Sequence, residues 1–489
     1  MRSAASISVL ACLALAACTS GPRPDLRLPA AYEAPALAAA TPAAQAPALD
    51  TWWAAFNDPQ LTGLIEDALI HNPDAKTAAS RLREASATRA SSLSHFLPQG
   101  NPGYSFSRQN TKGGFVIPGF DLPGLTSGGI TDSYGLNFNV SWEMDIFGRL
   151  FAAKHAADAD VAAAGFDYIT ARTSLAAEVA DSYFQARGLA IQLADAKDSA
   201  RIERELYETA DRRAKAGLAA TSEPDRVAGD LAQSDAQVAD LEAELQAQRR
   251  ALLILAGRYV EPTTSIDVPP FVGKAPPVPA SLPSDLLRRR PDVRSAEAQL
   301  AGAVGRKNLA RLAFLPTFTL KPGYGWSKAL QGASQTVSST WSIGGAVTQP
   351  ILDVPNLLAQ LKIYDARADQ AAYAYEKAVQ TAFSESEGAL VRLEADRRRV
   401  ALLTDGEARS RRAYLATLKG YQLGLNDLDT TLSSEQSWRA VRVQLTSAQV
   451  QTLRQAVLAY KALGGGWTVG EAPPKPLAAN RRPADTRAE

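Results

Sequence analysis

Two stretches of this chain, from about Gly148 to Gly217 and from about Leu357 to Gly424, contain no proline. Proline inside a helix removes a hydrogen bond and clashes with the preceding turn. Its absence permits two helices that would each reach roughly 100 Å, and no single globular core needs an element of that length. After the first stretch, Val227, Leu231, Ser234, Val238, Leu241, Leu245, Gln248, Leu252 and Leu255 step by alternating threes and fours, the seam of a coiled coil. A shorter helix therefore returns beside each long one, and abundant alanine lets the helices approach closely. Gly217 and Gly424 suit the left-handed residue that ends a helix. Ser222, with Pro224 and Asp225 after it, reads as a helix cap, and Asn426 with Asp429 repeats that pattern.

The chain is duplicated. Asn72-Pro73-Asp74 returns as Arg290-Pro291-Asp292, and Phe96-Leu97-Pro98 returns as Phe314-Leu315-Pro316 at the same interval. At a shorter interval, Gly217-Leu218 matches Gly424-Leu425, and Leu255-Ala256-Gly257 matches Ala462-Leu463-Gly464. The lost residues belong to the Gly-rich middle of each repeat, where the texture turns from helical to alternating. Tyr134, Leu136, Phe138, Val140 and Trp142 alternate with small polar residues, which predicts a strand over 134–142 with one apolar face. Its weaker partner spans 103–109, and Gly113 to Gly129 reads as a long exposed loop. In the second repeat 317–327 and 340–349 form the equivalent hairpin.

Four strands cannot close a barrel, and an open strand edge finds no hydrogen-bond partner in lipid. Three copies would supply twelve strands of a length that crosses an outer membrane, together with helices enough for a tube. The expected fold is mainly α with a β-barrel part: a duplicated helix-hairpin-helix repeat whose trimer forms a 12-stranded outer-membrane β-barrel continued by a periplasmic α-helical barrel. Trp142, closing its strand, suits the aromatic girdle at the membrane boundary, or else a core position at the strand-to-helix junction.

At the amino terminus, Arg2 precedes an apolar run from Ile7 to Ala17, too short to span a bilayer but suited to a secretory signal over 1–17. Leu15-Ala16-Ala17-Cys18 resembles the lipobox of bacterial lipoproteins, in which the Cys18 thiol would take the diacylglycerol. An ordinary signal with a stray cysteine is the alternative. Thr19, rather than Asp, follows the cysteine, which by the lipoprotein sorting rule implies the outer membrane. Residues 18–50 read as an extended, Pro/Ala-rich spacer, 51–260 as the first repeat, 261–283 as a linker, 284–466 as the second repeat and 467–489 as a polar tail.

Cys12 and Cys18 are the only cysteines, so after processing no thiol remains for disulfide, metal or nucleophilic chemistry. A net charge of +1 gives no field for nucleic acid. His71, His95 and His155 have no metal-ligand spacing, and no nucleophile elbow or phosphate loop is present. No cofactor, metal or catalytic residue is expected.

Trp52-Trp53 with Phe56 and Asp58-Pro59, the segment from Trp142 to Arg149 (Trp-Glu-Met-Asp-Ile-Phe-Gly-Arg), and the closing run from Tyr460 to Trp467 carry a resemblance over nearly the whole mature chain. The sequence resembles the outer membrane factor family, the TolC-like and NodT-like lipoproteins of tripartite efflux systems. The resemblance implies a homotrimer in the outer membrane that receives solutes from an inner-membrane transporter through a periplasmic adaptor. It implies no chemistry of its own. A channel for type I protein secretion and a non-pore coiled-coil lipoprotein bridging envelope layers are the alternatives. Two departures stand out: Leu352-Asp353-Val354-Pro355-Asn356 replaces a Phe-Asp-Gly-Gly-Arg-like segment, and Leu432-Ser433-Ser434-Glu435 replaces Leu-Asp-Ala-Gln, whose Asp would have joined an acidic ring at Ser433. The resemblance makes Tyr421, Asp427 and Asp429 the candidates for a periplasmic gate, with Asp429 one turn before Ser433; simple helix capping explains the two aspartates as well. Lys215, Gly217, Leu218, Gly424 and Leu425 are the candidate adaptor-docking tips, and plain turns explain the glycines equally.

Overall fold

The computed structural model describes residues 24, 26–33, 49–111, 129–279, 282–331 and 334–468. Cys18, the loop residues 113–128 and the tail from 469 onward lie outside the described residues. The chain forms two compact units. One comprises Glu84–Val161 and Ala298–Tyr373; the other comprises Pro24–Arg83, Ala162–Glu297 and the part described from Ala374 onward.

In chain order the elements are α1 (Pro59–His71), α2 (Pro73–Ser94), β1 (Gln99–Thr111), β2 (Gly129–Met144), α3 (Arg149–Lys215), α4 (Ser222–Leu255), α5 (Pro291–Leu312), β3 (Thr317–Gln331), β4 (Ser334–Thr348), α6 (Val354–Gln422) and α7 (Leu428–Ala462). A single helical turn, Leu286–Arg289, precedes α5. The long helices α3 and α6 run 67 and 69 residues, and the returning helices 34 and 35. Every residue of the expected α4 seam is buried or half-buried.

The duplication extends to individual hydrogen bonds. The Asn72 side-chain amide donates to the Leu255 carbonyl at 2.9 Å, and in the second repeat the Arg290 guanidinium donates to the Ala462 carbonyl at 3.3 Å. Four helices end in the same glycine turn. Gly217, Gly257, Gly424 and Gly464 all have positive φ, and after each the next amide reaches back five residues: Leu218 to Arg213, Arg258 to Leu253, Leu425 to Gly420 and Gly465 to Tyr460. Gly257 and Gly464 also sit against backbone, facing His71 and Arg289 respectively; both belong to the helical turns that lead into α2 and α5.

The opening motif Trp52-Trp53, Phe56 and Asp58 organises the helical unit. Trp52 is fully buried and stacks on Tyr460 with ring centroids 6.0 Å apart. Asp58 caps α1 through the Gln60 and Leu61 amides. The same carboxylate accepts from the Tyr183 hydroxyl at 2.8 Å and from the Arg187 guanidinium at 3.1 Å. The closing run returns to this place, with the Gly466 amide donating to the Leu49 carbonyl at 2.8 Å and the Trp467 indole to the Arg289 carbonyl at 2.8 Å.

Part of the spacer packs on the helical unit: Tyr32 stacks on Phe383 at 5.8 Å, which takes an aromatic ring out of water. Two expectations are corrected. Ser222 does not cap α4; Thr221 precedes the helix in a helical conformation with no side-chain cap bond, since the chain arrives already coiled. Asn426 does not cap α7 either, because its side chain is drawn to the Thr417 carbonyl at 3.2 Å. Asp427 takes the cap, accepting the Thr430 amide at 2.7 Å.

Candidate channel wall and helical tips

The sheet is an antiparallel meander in the order β1-β2-β3-β4, which leaves β1 and β4 as edges among the described residues. Its strands of 13, 16, 15 and 15 residues run past the alternating segments, because ladder pairing continues where the side-chain pattern stops. Register decides the rest. Leu136 lies between Tyr104 and Trp326, and Phe138 beside Tyr324, which faces Trp341. Met144 lies beside Phe318, which faces Val347. Period-two geometry puts all of these on one face. On the other face, Ser105, Gly135 and Ser327 share a row, as do Gly103, Asn137, Gly325 and Thr340. From Tyr134 to Met144 one face is thus mainly apolar, with Lys328 beside Tyr134 and Ser339 beside Trp326, and the other mainly small and polar.

Among the described residues nothing covers either face. Trp341 is 76% exposed, Ile343 71% and Tyr104 70%, a contiguous exposed apolar face of the kind that marks a membrane or protein contact. Among the described residues no helix is long and apolar enough to cross a membrane; the sheet is the element with an outward apolar band. From Tyr134 to Met144 the band covers roughly 33 Å of strand, and a strand tilt of about 40° makes it about 25 Å tall, the height of an outer-membrane barrel wall. The bidentate ion pair of Arg108 with Asp132, at 2.6 and 2.7 Å, lies on this face beyond Tyr134, where the apolar band ends.

At the opposite limit stands Trp142. It is 39% exposed, on the apolar face, and its indole N–H donates to the Phe96 carbonyl at 3.0 Å. In the second repeat the Gln349 amide makes the equivalent bond to the Phe314 carbonyl at 3.0 Å. The junction needs a donor there but no aromatic ring. Beyond Trp142 the chain turns into α3: Arg149 clasps Glu143 with a 2.9 Å bond from Nε, the Asp145 carboxylate accepts the Phe151 amide at 3.1 Å, and Gly148 takes φ +79°. The Glu143–Arg149 clasp was not anticipated from the sequence, although both residues lie in the motif that carried the resemblance.

In the helical unit, the α3–α4 and α6–α7 turns pack through a small core of Leu206, Ala210, Val227, Tyr421, Leu428 and Leu432. Tyr421 is 2% exposed, a member of this core rather than a wall residue. The Arg213 guanidinium lies 4.8 Å above its ring, and burial raises its hydroxyl's pKa. Asp429 is exposed and paired with Arg226 across the two turns, a partner that no local signal in either segment announces. Asp427, held by the Thr430 amide and hydroxyl, has its carboxyl pKa lowered. Ser433 is exposed one turn after Asp429. Leu218 and Leu425, 72% and 77% exposed, project from the glycine turns, and Lys215 is tied to Asp211 at 2.8 Å.

The profile of the family described as outer membrane efflux protein matches residues 64–258 and 282–465, one segment for each repeat. The chain belongs to this family. It is 31% identical over 466 residues to the pyoverdine export outer membrane protein OpmQ of Pseudomonas aeruginosa, covering 94% of this chain and 96% of that protein. It is 27% identical to the cation efflux system protein CusC of Escherichia coli, covering 85% and 88%. The outer-membrane channel OprN has the same fold with a TM-score of 0.79 at 28% identity, over 92% of this chain and all of that one. This chain is therefore an outer-membrane efflux channel subunit that extends into the periplasm.

Proposed function

We propose that three copies of this chain close one twelve-stranded wall, and that the resulting duct passes solutes handed over by an inner-membrane transporter through a periplasmic adaptor, without chemistry of its own. The observation that carries this reading is the four-stranded sheet with two open edges, an exposed apolar face and a polar one. Edges in lipid must be paired, and copies of the same sheet pair them with matching faces. Pyoverdine, which OpmQ is named for exporting, is the first solute to assay.

Within this reading Cys18 carries the acyl anchor in outer-membrane lipid, and the domain limits of 51–260 and 284–466 bound the two repeats. The exposed turns around Lys215, Gly217, Leu218, Gly424 and Leu425 offer the adaptor small, apolar knobs. Asp429 with Arg226, next to Ser433 and steadied by the Tyr421 core and the Asp427 cap, is the candidate gate contact. Negative-stain imaging with a native mass of the detergent-purified mature protein tests the assembly: a three-fold hollow particle of trimer mass is expected. A monomer or a solid rod would overturn it in favour of a structural lipoprotein. Asp429→Ala tests the gate by planar-bilayer conductance, with unchanged conductance and ion preference counting against it.

A further inference from the structure

Just inside the turns, the four long helices meet around two buried carboxylates that share one cation. Glu203 on α3 and Glu435 on α7 are 2% and 1% exposed. Arg439 on α7 donates to Glu203 at 2.5 Å and to the Ser234 hydroxyl on α4 at 3.1 Å, and stands 3.7 Å from Glu435. One oxygen of each carboxylate, Oε2 of Glu203 and Oε1 of Glu435, is buried without a hydrogen-bond partner. From α4, Asp230 adds further negative charge; from α6, Tyr414 presents a buried hydroxyl, also without a partner, and stacks on Trp438 at 5.3 Å. Two ionised carboxylates and one guanidinium leave an uncompensated buried charge, which a low-dielectric site resists. One added proton removes it.

We propose that Glu435, with Glu203 and Arg439, is a proton-operated latch that holds α3, α4, α6 and α7 together near their turns while Glu435 is neutral and loosens them when it ionises. Burial pushes the Glu435 carboxyl up to about 7; Arg439 pulls it down, while Glu203 and Asp230 add to the rise. Burial also raises Glu203, against Ser234 and Arg439. An acid whose packed-state pKa is raised favours the packed state below its free value and loses that contribution as pH climbs through the raised one. The latch is therefore closed in acid and loosens as pH climbs from the free carboxylate range to about 7, where the loss levels off. Between pH 6 and pH 8 the loosened population should grow about tenfold.

Hydrogen–deuterium exchange on the full-length purified protein, expressed as protection factors for peptides around 203, 234, 414 and 435, reads this directly. The wild type should lose about tenfold of its protection from pH 6 to pH 8, whereas Glu435→Gln, neutral and of the same shape, should show no fall over that range and protection at least equal to that of the wild type at pH 6. Constant protection in the wild type, or an unchanged fall in Glu435→Gln, overturns the latch. If Glu435→Gln does not fold, Glu203→Gln decides: Glu435 then has Arg439 to itself and the fall should move to lower pH, and a fall at the same pH overturns the proposal. The readout needs no pore, so failure of the trimeric reading would appear in the particle mass and leave this result untouched.

Discussion

Gly424 and Gly464 close equivalent helices with equivalent turns, yet alanine at the two positions should cost different amounts. Gly424 has φ +75° and open space where a Cβ would go. Gly464 has φ +77°, and a Cβ there would lie 2.6 Å from the Arg289 carbonyl oxygen and 2.7 Å from its carbon. The left-handed backbone costs both alanines about 1 kcal/mol. At Gly464 the Arg289 backbone must also yield, which adds about 1–3 kcal/mol of overpacking. That movement disturbs the bond from the Trp467 indole to the same carbonyl, worth about 1 kcal/mol. Gly464→Ala should thus be destabilised by about 2–4 kcal/mol more than Gly424→Ala. Urea titration of the purified variants under matched conditions, followed by tryptophan fluorescence, measures the difference. Gly257→Ala should behave like Gly464→Ala, because its Cβ would meet His71 at 2.6 Å. Equal losses at Gly424 and Gly464, or a larger one at Gly424, would refute the close-approach argument.

Other substitutions test the remaining parts of the structure. Asp58→Ala removes a helix cap and leaves buried Arg187 without its carboxylate, so it should cost about 3–5 kcal/mol in the same titration; a loss below about 1 kcal/mol would mean the network contributes little. Trp142→Gln keeps the junction bond that Gln349 makes in the second repeat and removes only the aromatic ring, the candidate membrane-boundary anchor. It should therefore preserve the fold by circular dichroism while lowering the yield of inserted protein, and a loss of secondary structure would assign the indole to the core instead. Cys18→Ala should abolish incorporation of labelled palmitate, and retained label would place the anchor elsewhere.

Much of this protein was legible without coordinates because its signals are local or periodic. Freedom from proline over 148–217 and 357–424 marks helices that now measure 67 and 69 residues. The alternation from Tyr134 to Trp142 assigns one face of β2 to apolar surroundings whatever its neighbours are, since side chains on a strand alternate by geometry alone. The glycines after α3 and α6 mark turns because only glycine takes positive φ without strain. The duplication predicted equivalence between repeats, and the structure carries it down to the Phe96 and Phe314 carbonyls, each met by a side-chain donor from its own repeat.

Pairings between distant segments needed the tertiary structure. Neither Arg226 nor Asp429 carries any mark of the other, and the Ser222 and Asn426 caps were misassigned because cap signatures ignore how the chain enters a helix. The largest omission was the cluster of Glu203, Ser234, Tyr414, Glu435 and Arg439, drawn from four helices. Read along the sequence, Glu435 is one more charge on a polar helix; in the fold it is 1% exposed. The physical reason is rotational: successive residues on a helix point about 100° apart, so the packing angle of each helix against three others decides which charges face water and which face one another. Local sequence determined the helices, the strands and their turns; the mutual rotation of the helices decided where the buried charge would be.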